Sequence, residues 1–345
     1  MRYQEYAILE SRGPEPGERR ARFLGKATIS LAAVLVLAAC SPRFQLDVLG
    51  EEKIQEVMLV PSAAREKIVV IDVEGTISAV EDRGLFAREG DILSRVYYRL
   101  QKASADPLVK AVILRLDTPG GEVTASDILY NEVLRFREKT RKPVVALMMS
   151  VCASGGYYIA SACDTIIAHP STITGSIGVI SIFPNVETLF DKVGVRMNVI
   201  KSGAMKDSGS PFRAMTEDEK KEFQAIIDEY YGDFLKAVAS GRKGRLTVDE
   251  LRPLADGRVY TAKQALGRRL IDEIGYFETA RQKALSLASI SDAGVVAYTY
   301  YPSTKTNIYA SSLGGTGFLE SKALENWLPL LKAGFYYLWL PDSSR

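Results

Sequence analysis

The sequence predicts an α/β fold, and three observations carry that expectation. From Lys67 onward, short apolar stretches rich in valine and isoleucine alternate with segments of helical spacing. That alternation is the order from which sheets flanked by helices are built. The stretch at residues 144–149 is a continuous apolar run, as in a strand buried on both faces. Finally, 47% hydrophobic and 25% charged residues in a chain of 345 are ordinary for a globular protein with a sizeable core.

The chain begins differently. Residues 1–26 are largely polar and carry Arg19, Arg20, Arg22 and Lys26, whereas residues 27–39 are uncharged and mostly apolar. A basic region followed by a short apolar one is the layout of an export signal. The apolar part is too short for a comfortable transmembrane helix. It ends Leu37-Ala38-Ala39-Cys40, which resembles a bacterial lipobox, with Cys40 lipidated and first in the mature chain. An uncleaved short anchor is the other reading. Arg19-Arg20 before Phe23-Leu24 hints at a twin-arginine signal, but the spacing is off by one. Under either reading the remainder lies outside the cytoplasm, held at a membrane. The expected organisation is an export signal at 1–40, a linker at 41–65, a folded body at 66–290 and a C-terminal extension at 291–345.

In the body, residues 67–73 read as a strand, with Gly75 in the turn after it. Ile92, Val96 and Leu100 have helical spacing. Residues 109–116 form the next strand, followed by Asp117-Thr118-Pro119-Gly120-Gly121 and a helix over 123–136. The 144–149 strand leads through small residues to a helix over 157–163. A short strand at 165–168 and a buried extended stretch at 172–180 follow, then a helix at 186–193 and a strand at 195–200. Residues 201–211 read as a loop. Thr216 and Glu219 form a capping box for a long helix, with Glu217 and Asp218 at the favourable end of its dipole. That helix runs to about Ala239 and buries Phe223, Ile226, Ile227, Tyr230 and Phe234. Further helices are expected at 262–270 and 277–288. Residues 298–317, rich in Tyr, Ser, Thr and Gly, read as loop or added hairpin. Residues 327–340 are strongly apolar, broken by Pro329 and carrying Lys332. Such a tail either lies in a membrane interface or packs on the body or a neighbouring subunit.

Chemistry is suggested by the junction Ser150-Val151-Cys152-Ala153-Ser154-Gly155-Gly156. Ser154 sits where a strand becomes a helix, and the glycines let another backbone approach. Unpaired N–H groups at the helix start would stabilise an oxyanion. The plain alternative is a helix cap on a buried helix. A nucleophilic serine needs a base. The chain has one histidine, His169, which precedes Pro170 in a turn and reads as structural. A neutral lysine would serve, and lowering its pKa from about 10.4 to about 8 costs roughly 3 kcal/mol. Lys201 and Lys206 share the loop and both are candidates. Three cysteines argue against a disulfide scaffold. A net charge of +2 gives no case for nucleic-acid binding.

Several motifs in order, taken together, make residues 67–288 similar to the SppA-type signal peptide peptidases of the protease IV family. They are Asp117-Thr118-Pro119-Gly120-Gly121, Ala153-Ser154-Gly155-Gly156-Tyr157-Tyr158-Ile159-Ala160, Thr174-Gly175-Ser176-Ile177-Gly178-Val179, Lys201-Ser202-Gly203-Ala204-Met205-Lys206-Asp207 with Ser210-Pro211, and Asp256-Gly257-Arg258-Val259-Tyr260. The resemblance implies stacked β-β-α turns of the Clp-protease/crotonase type and a Ser/Lys dyad. Ser154 matches the nucleophile, Lys206 the base, Ser176 the serine bonded to that base, and Gly121 the backbone donor of the oxyanion hole. Asp117-Thr118 stands where the family often has Asn-Ser, and Cys152 and Cys163 stand where alanine is common. Both cysteines read as core. The resemblance further implies membrane attachment with the catalytic domain on the periplasmic side, peptide substrates such as cleaved signal peptides, a ring-like homo-oligomer, and neither cofactor nor metal. It stops before the apolar tail, which is expected to be dispensable for the chemistry. Two other functions fit the same fold: a crotonase-type enzyme acting on acyl thioesters, and a non-catalytic scaffold.

Overall fold

The computed structural model describes residues 54–79, 91–300, 307–310 and 334–340. The expected export signal with Cys40 lies outside the described residues, as does the tail's start at Trp327 and Lys332.

The described chain opens with β1 (Gln55–Val60) and β2 (Lys67–Glu74), then α1 (Ile92–Ala105), β3 (Val109–Thr118), β4 (Gly120–Glu122) and α2 (Val123–Thr140). Next come β5 (Val144–Ala153), α3 (Gly155–Ala160), β6 (Thr165–Ala168), β7 (Ile173–Gly175), β8 (Ile180–Ile182) and α4 (Glu187–Lys192). The long α5 (Glu217–Gly241) is followed by α6 (Val248–Leu251), β9 (Val259–Thr261), α7 (Ala262–Gly267), β10 (Glu273–Ile274) and α8 (Phe277–Ala288). Strands β11 (Gly294–Thr299) and β12 (Gly334–Leu338) close the described chain.

The main sheet has the order β1-β11-β2-β3-β5-β6-β10. Along this path every pair from β11 to β10 is parallel and β1 on β11 is antiparallel; β7 adds parallel to the end of β5, and β9 pairs antiparallel with β7. Side chains alternate across such strands. Val69, Ile71, Val112, Leu114, Ala146 and Met148 face a core shared with α1, α2, α3 and α5. Ile68, Val70, Ala111, Ile113, Val145 and Leu147 face α8 through Phe277, Ala280 and Ala284. Both faces are covered, so the strands read as continuous apolar runs.

Strand β3 passes through Pro119 into β4, which belongs to a second, three-stranded sheet, and then into α2. The same strand–strand–helix turn recurs from β7 in the main sheet through β8 in the three-stranded sheet to α4. This is the α/β architecture expected from the sequence, with stacked β-β-α turns of the Clp-protease/crotonase kind.

Residues 195–200, expected as a strand, are not one: all six are exposed and none pairs in a sheet. Strand β1 lies within the stretch read as a linker, and β11, beyond residue 290, sits in the sheet between β1 and β2.

A buried ion pair ties the end of α5 to the sheet. Arg242, 1% exposed, gives two hydrogen bonds to Asp272, at 2.9 and 2.8 Å. Asp272 also accepts the Ile166 N–H at 2.8 Å. Burial works to raise the Asp272 pKa, but the bonds and charge of Arg242 outweigh it, so it lies below the ordinary 3.8. Asp272→Asn keeps the shape and strands a buried guanidinium, so it should cost about 3 kcal/mol in urea unfolding. A depressed carboxylate pKa stabilises above its unfolded value and loses that contribution as pH falls through the folded value. The gap between wild type and variant should therefore narrow on acidification below pH 3.8. A gap that is absent, or that widens in acid, would contradict this account of the pair.

Candidate active site

The site begins with the parallel ladder of β3, β5 and β7. Thr118 pairs with Cys152, and Ala153 pairs with Gly175. At the next residue β5 ends and the chain turns into α3. Ser154 takes up this turn with φ 52° and ψ −114°. A side-chain-bearing residue there costs about 1–3 kcal/mol, and such strain persists where the surroundings over-determine it. Here the Ser154 N–H donates to the Gly175 carbonyl at 2.8 Å, and the Ser154 carbonyl accepts from Tyr158 at 2.9 Å. Ser154 is 1% exposed, yet its hydroxyl makes no hydrogen bond to the described residues and no cap bond to α3. Ser154 thus holds the N-cap position of α3 through its backbone, without the side-chain bond of a capping serine.

Ser176, also in the left-handed region at φ 49°, follows the carbonyl that holds Ser154. Its N–H donates to the Arg258 carbonyl at 2.8 Å, fixing it beside the turn. Gly120, at φ 97°, brings β4 against the start of α3: a Cβ there would stand 2.7 Å from the Gly155 nitrogen. A Cβ on Gly121 would stand 1.9 Å from the Ile77 carbonyl oxygen. Only a bare backbone fits at either position. Ser154, Ser176 and Gly121 are thus gathered by three neighbouring segments.

The lysines are placed otherwise. Lys201 bonds the Ala204 carbonyl at 2.9 Å and Asp207 at 2.6 Å. Arg213 grips the same Asp207 at 3.0 and 2.8 Å and also pairs with Glu219, the capping-box residue of α5. The bonds from Arg213 and Lys201 hold the Asp207 carboxyl well below its ordinary range. Of the two candidate lysines, Lys201 is thus already engaged. Lys206 lies in a single 3-10 turn, Ala204–Asp207, exposed, and no hydrogen bond joins it to Ser154 or Ser176. Shielding from water, expected for a base lysine, is missing in the single chain because residues 191–206 are all exposed.

Cys152 and Cys163 are buried core residues. Burial pushes the Cys152 thiol well up, which keeps it from ionising. His169 bonds its neighbour Ser171 at 2.8 Å and meets the Tyr276 ring edge. Among the described residues no group of three or more His, Cys, Asp and Glu side chains is placed to hold a metal ion.

One feature of the site was missed from sequence. Strand β12 pairs antiparallel with β4 on one side and β8 on the other. Leu338 faces Gly120, and the Trp339 N–H donates to the Pro119 carbonyl at 2.9 Å. The alternation of an antiparallel ladder then gives the Gly121 N–H to the Tyr337 carbonyl. The Tyr337 oxygen lies 3.1 Å from where a Cβ on Gly155 would be, between β4 and the start of α3. The Tyr337 ring, 1% exposed, stacks on Tyr158 at 5.1 Å and meets Phe234 at 4.6 Å. Its phenol donates to the Tyr230 carbonyl at 3.0 Å. The tail thus lies on the site rather than apart from it. The apolar run Phe335-Tyr336-Tyr337-Leu338 was visible, but nothing local named its partner strands.

Residues 136–291 match the model of peptidase family S49. A protein of Enterococcus faecium provisionally named signal peptide peptidase SppA is 35% identical over 276 residues, covering 80% of this chain and 78% of that one. Protease 4 of Haemophilus influenzae is 35% identical over 271 residues, 76% of this chain but only 42% of that longer protein. Among solved structures, a point mutant of the 1510-N membrane-bound stomatin-specific protease superposes with a TM-score of 0.39 at 15% identity, over 64% of this chain and 85% of that one. By its similarity to the Enterococcus faecium protein over most of both chains, and by the family model it matches, this chain belongs to peptidase family S49.

Proposed function

We propose that this peptidase is a membrane-attached serine endopeptidase with a Ser154/Lys206 dyad, acting outside the cytoplasm on peptides such as cleaved signal peptides. The observation that carries the proposal is the Ser154 turn: a hydroxyl free of local bonds, at the start of α3, beside the Gly120–Gly121 backbone. In this reading Ser154 Oγ attacks the scissile carbonyl and Lys206, as a free amine, takes its proton. The Gly121 N–H and the start of α3 face the developing oxyanion, where one such donor is worth roughly 10²–10³ in rate. The lysine returns the proton to the leaving amine, and water then releases the acyl group from Ser154. Ser176 orients the lysine. Among the described residues no helix is long and apolar enough to cross a membrane, and attachment is assigned to the N-terminal segment ending at Cys40.

Lys206 reaches this role through assembly. The segment that carries it exposes Leu189, Val193, Val195, Met197, Val199, Ile200 and Met205, with Ile200 fully open to water. Helix α4 buries none of its residues. An apolar arm of this kind calls for a covering surface, and a second copy in a closed ring supplies one. The same contact takes Lys206 out of water and favours its neutral form.

Two outcomes are expected. On a soluble peptide, Lys206→Ala should lose hydrolysis as completely as Ser154→Ala, because the pair acts as a unit. Lys201→Ala should keep most of it, since Arg213 still holds Asp207. The wild-type rate should climb from acidic to mildly alkaline buffer, as a free-amine base requires. Robust hydrolysis by folded Lys206→Ala would overturn the dyad. Second, Ile200→Glu should shift the protein from oligomer to monomer in sedimentation and lose hydrolysis with it. A fully active monomer would show that the arm needs no partner.

A further inference from the structure

Ser126 ends the first turn of α2 and is 0% exposed. A serine inside a helix can turn its hydroxyl back to the carbonyl one turn earlier, here that of Glu122. Ser126 does not: its Oγ has no hydrogen-bond partner among the described residues. A buried hydroxyl left unpaired costs stability, and one that persists calls for a reason. The reason lies in where it stands. A Cβ on Gly155 would be 2.4 Å from Ser126 Oγ, 3.1 Å from the Tyr337 carbonyl oxygen and 3.3 Å from the Gly120 Cα. One point beside the Ser154 turn is thus shared by the Ser126 hydroxyl, the Gly120 backbone and the oxygen that takes the Gly121 N–H. The next residue, Asp127, accepts the Tyr158 phenol at 2.8 Å, so α2 is pinned to α3 beside this point.

We propose that Ser126 is a further catalytic residue, a side-chain donor that adds its hydroxyl to the backbone donors of the oxyanion site. The inference rests on the peptidase reading above. When Ser154 Oγ bonds the scissile carbon, the carbonyl π pair moves onto the oxygen held by the Gly121 N–H. The Ser126 O–H donates to that oxygen as it becomes negative, and keeps its own proton. When the carbonyl re-forms and the amine leaves, the hydroxyl is released again. A donor unpaired in the resting protein gives up no bond to do this. Its contribution therefore falls on the transition state rather than on substrate binding. A buried, fixed donor is also stronger there than one exposed to water.

Wild type, Ser126→Ala and Ser154→Ala are compared on a soluble reporter peptide. Ser126→Ala should lower kcat about a hundredfold, as loss of one oxyanion donor does, with KM nearly unchanged. Affinity for a peptide aldehyde, whose serine adduct places an oxygen at the same point, should fall by a similar factor. Affinity for the matching peptide alcohol, which forms no adduct, should not change. Ser126→Ala should also unfold at an unchanged or higher temperature, since it loses only an unpaired polar group. A lower unfolding temperature, or equal weakening of aldehyde and alcohol binding, would mark a structural role and overturn the proposal. Wild-type kcat in Ser126→Ala would overturn it as well. Hydrolysis that persists in Ser154→Ala, or that is absent from the wild type, would overturn the peptidase reading itself and this inference with it.

Discussion

The close approach of the Gly120–Gly121 backbone to the Ser154–Gly155 turn is the constraint on which the site depends. It is set by the ladder: β3 and β5 run in register to Leu116 and Met148 and, past a bulge, pair again at Thr118 and Cys152, so the chain segments that leave them lie side by side. One becomes β4 and the other the start of α3. A Cβ on Gly120 would collide with the Gly155 nitrogen, so glycine is required for the two segments to meet at all. Once they meet, the proposed donors, the Gly121 N–H and the start of α3, stand beside the turn that carries a buried hydroxyl. Desolvated donors fixed in this way need not reorganise during reaction, which is where much of an enzyme's rate enhancement arises. The left-handed backbone of Ser154 is part of the same arrangement. The Gly175 carbonyl holds the turn from behind, so its strain is borne by the sheet.

The fold was legible because its signals are local. Buried parallel strands show as apolar runs at residues 67–73, 109–116 and 144–149, and the Thr216–Glu219 capping box forms as its residues imply. The place of Ser154 at a strand-to-helix junction was legible too, since an apolar run gives way there to a serine and two glycines. The neighbourhood of Gly121 and Ser176 came through family resemblance, and the β3–β5–β7 ladder supplies its physical cause.

What was not legible depends on partners distant in sequence. Residues 195–200 look like a strand because Val195, Met197 and Val199 alternate, but a strand needs an edge to pair with, and in the single chain there is none. Strand β12 is the converse. Its edges, β4 and β8, are separated from it by most of the chain, and only the folded site brings them to its two sides. The Asp207–Arg213–Glu219 cluster is local, its members six residues apart, but the turn that joins them leaves no periodic signal. It explains why Lys201 is engaged while Lys206 is left with a free head group, a difference that the loop sequence alone does not contain.

The account stands or falls on Ser154 as the reacting atom's owner. The most direct measurement is labelling of the folded protein with a serine-reactive phosphonate, followed by mass-spectrometric mapping of the modified residue. The account predicts a single adduct on Ser154, much reduced when Lys206 is replaced by alanine. An adduct on another residue, or labelling of Ser154 that is indifferent to Lys206, would contradict it.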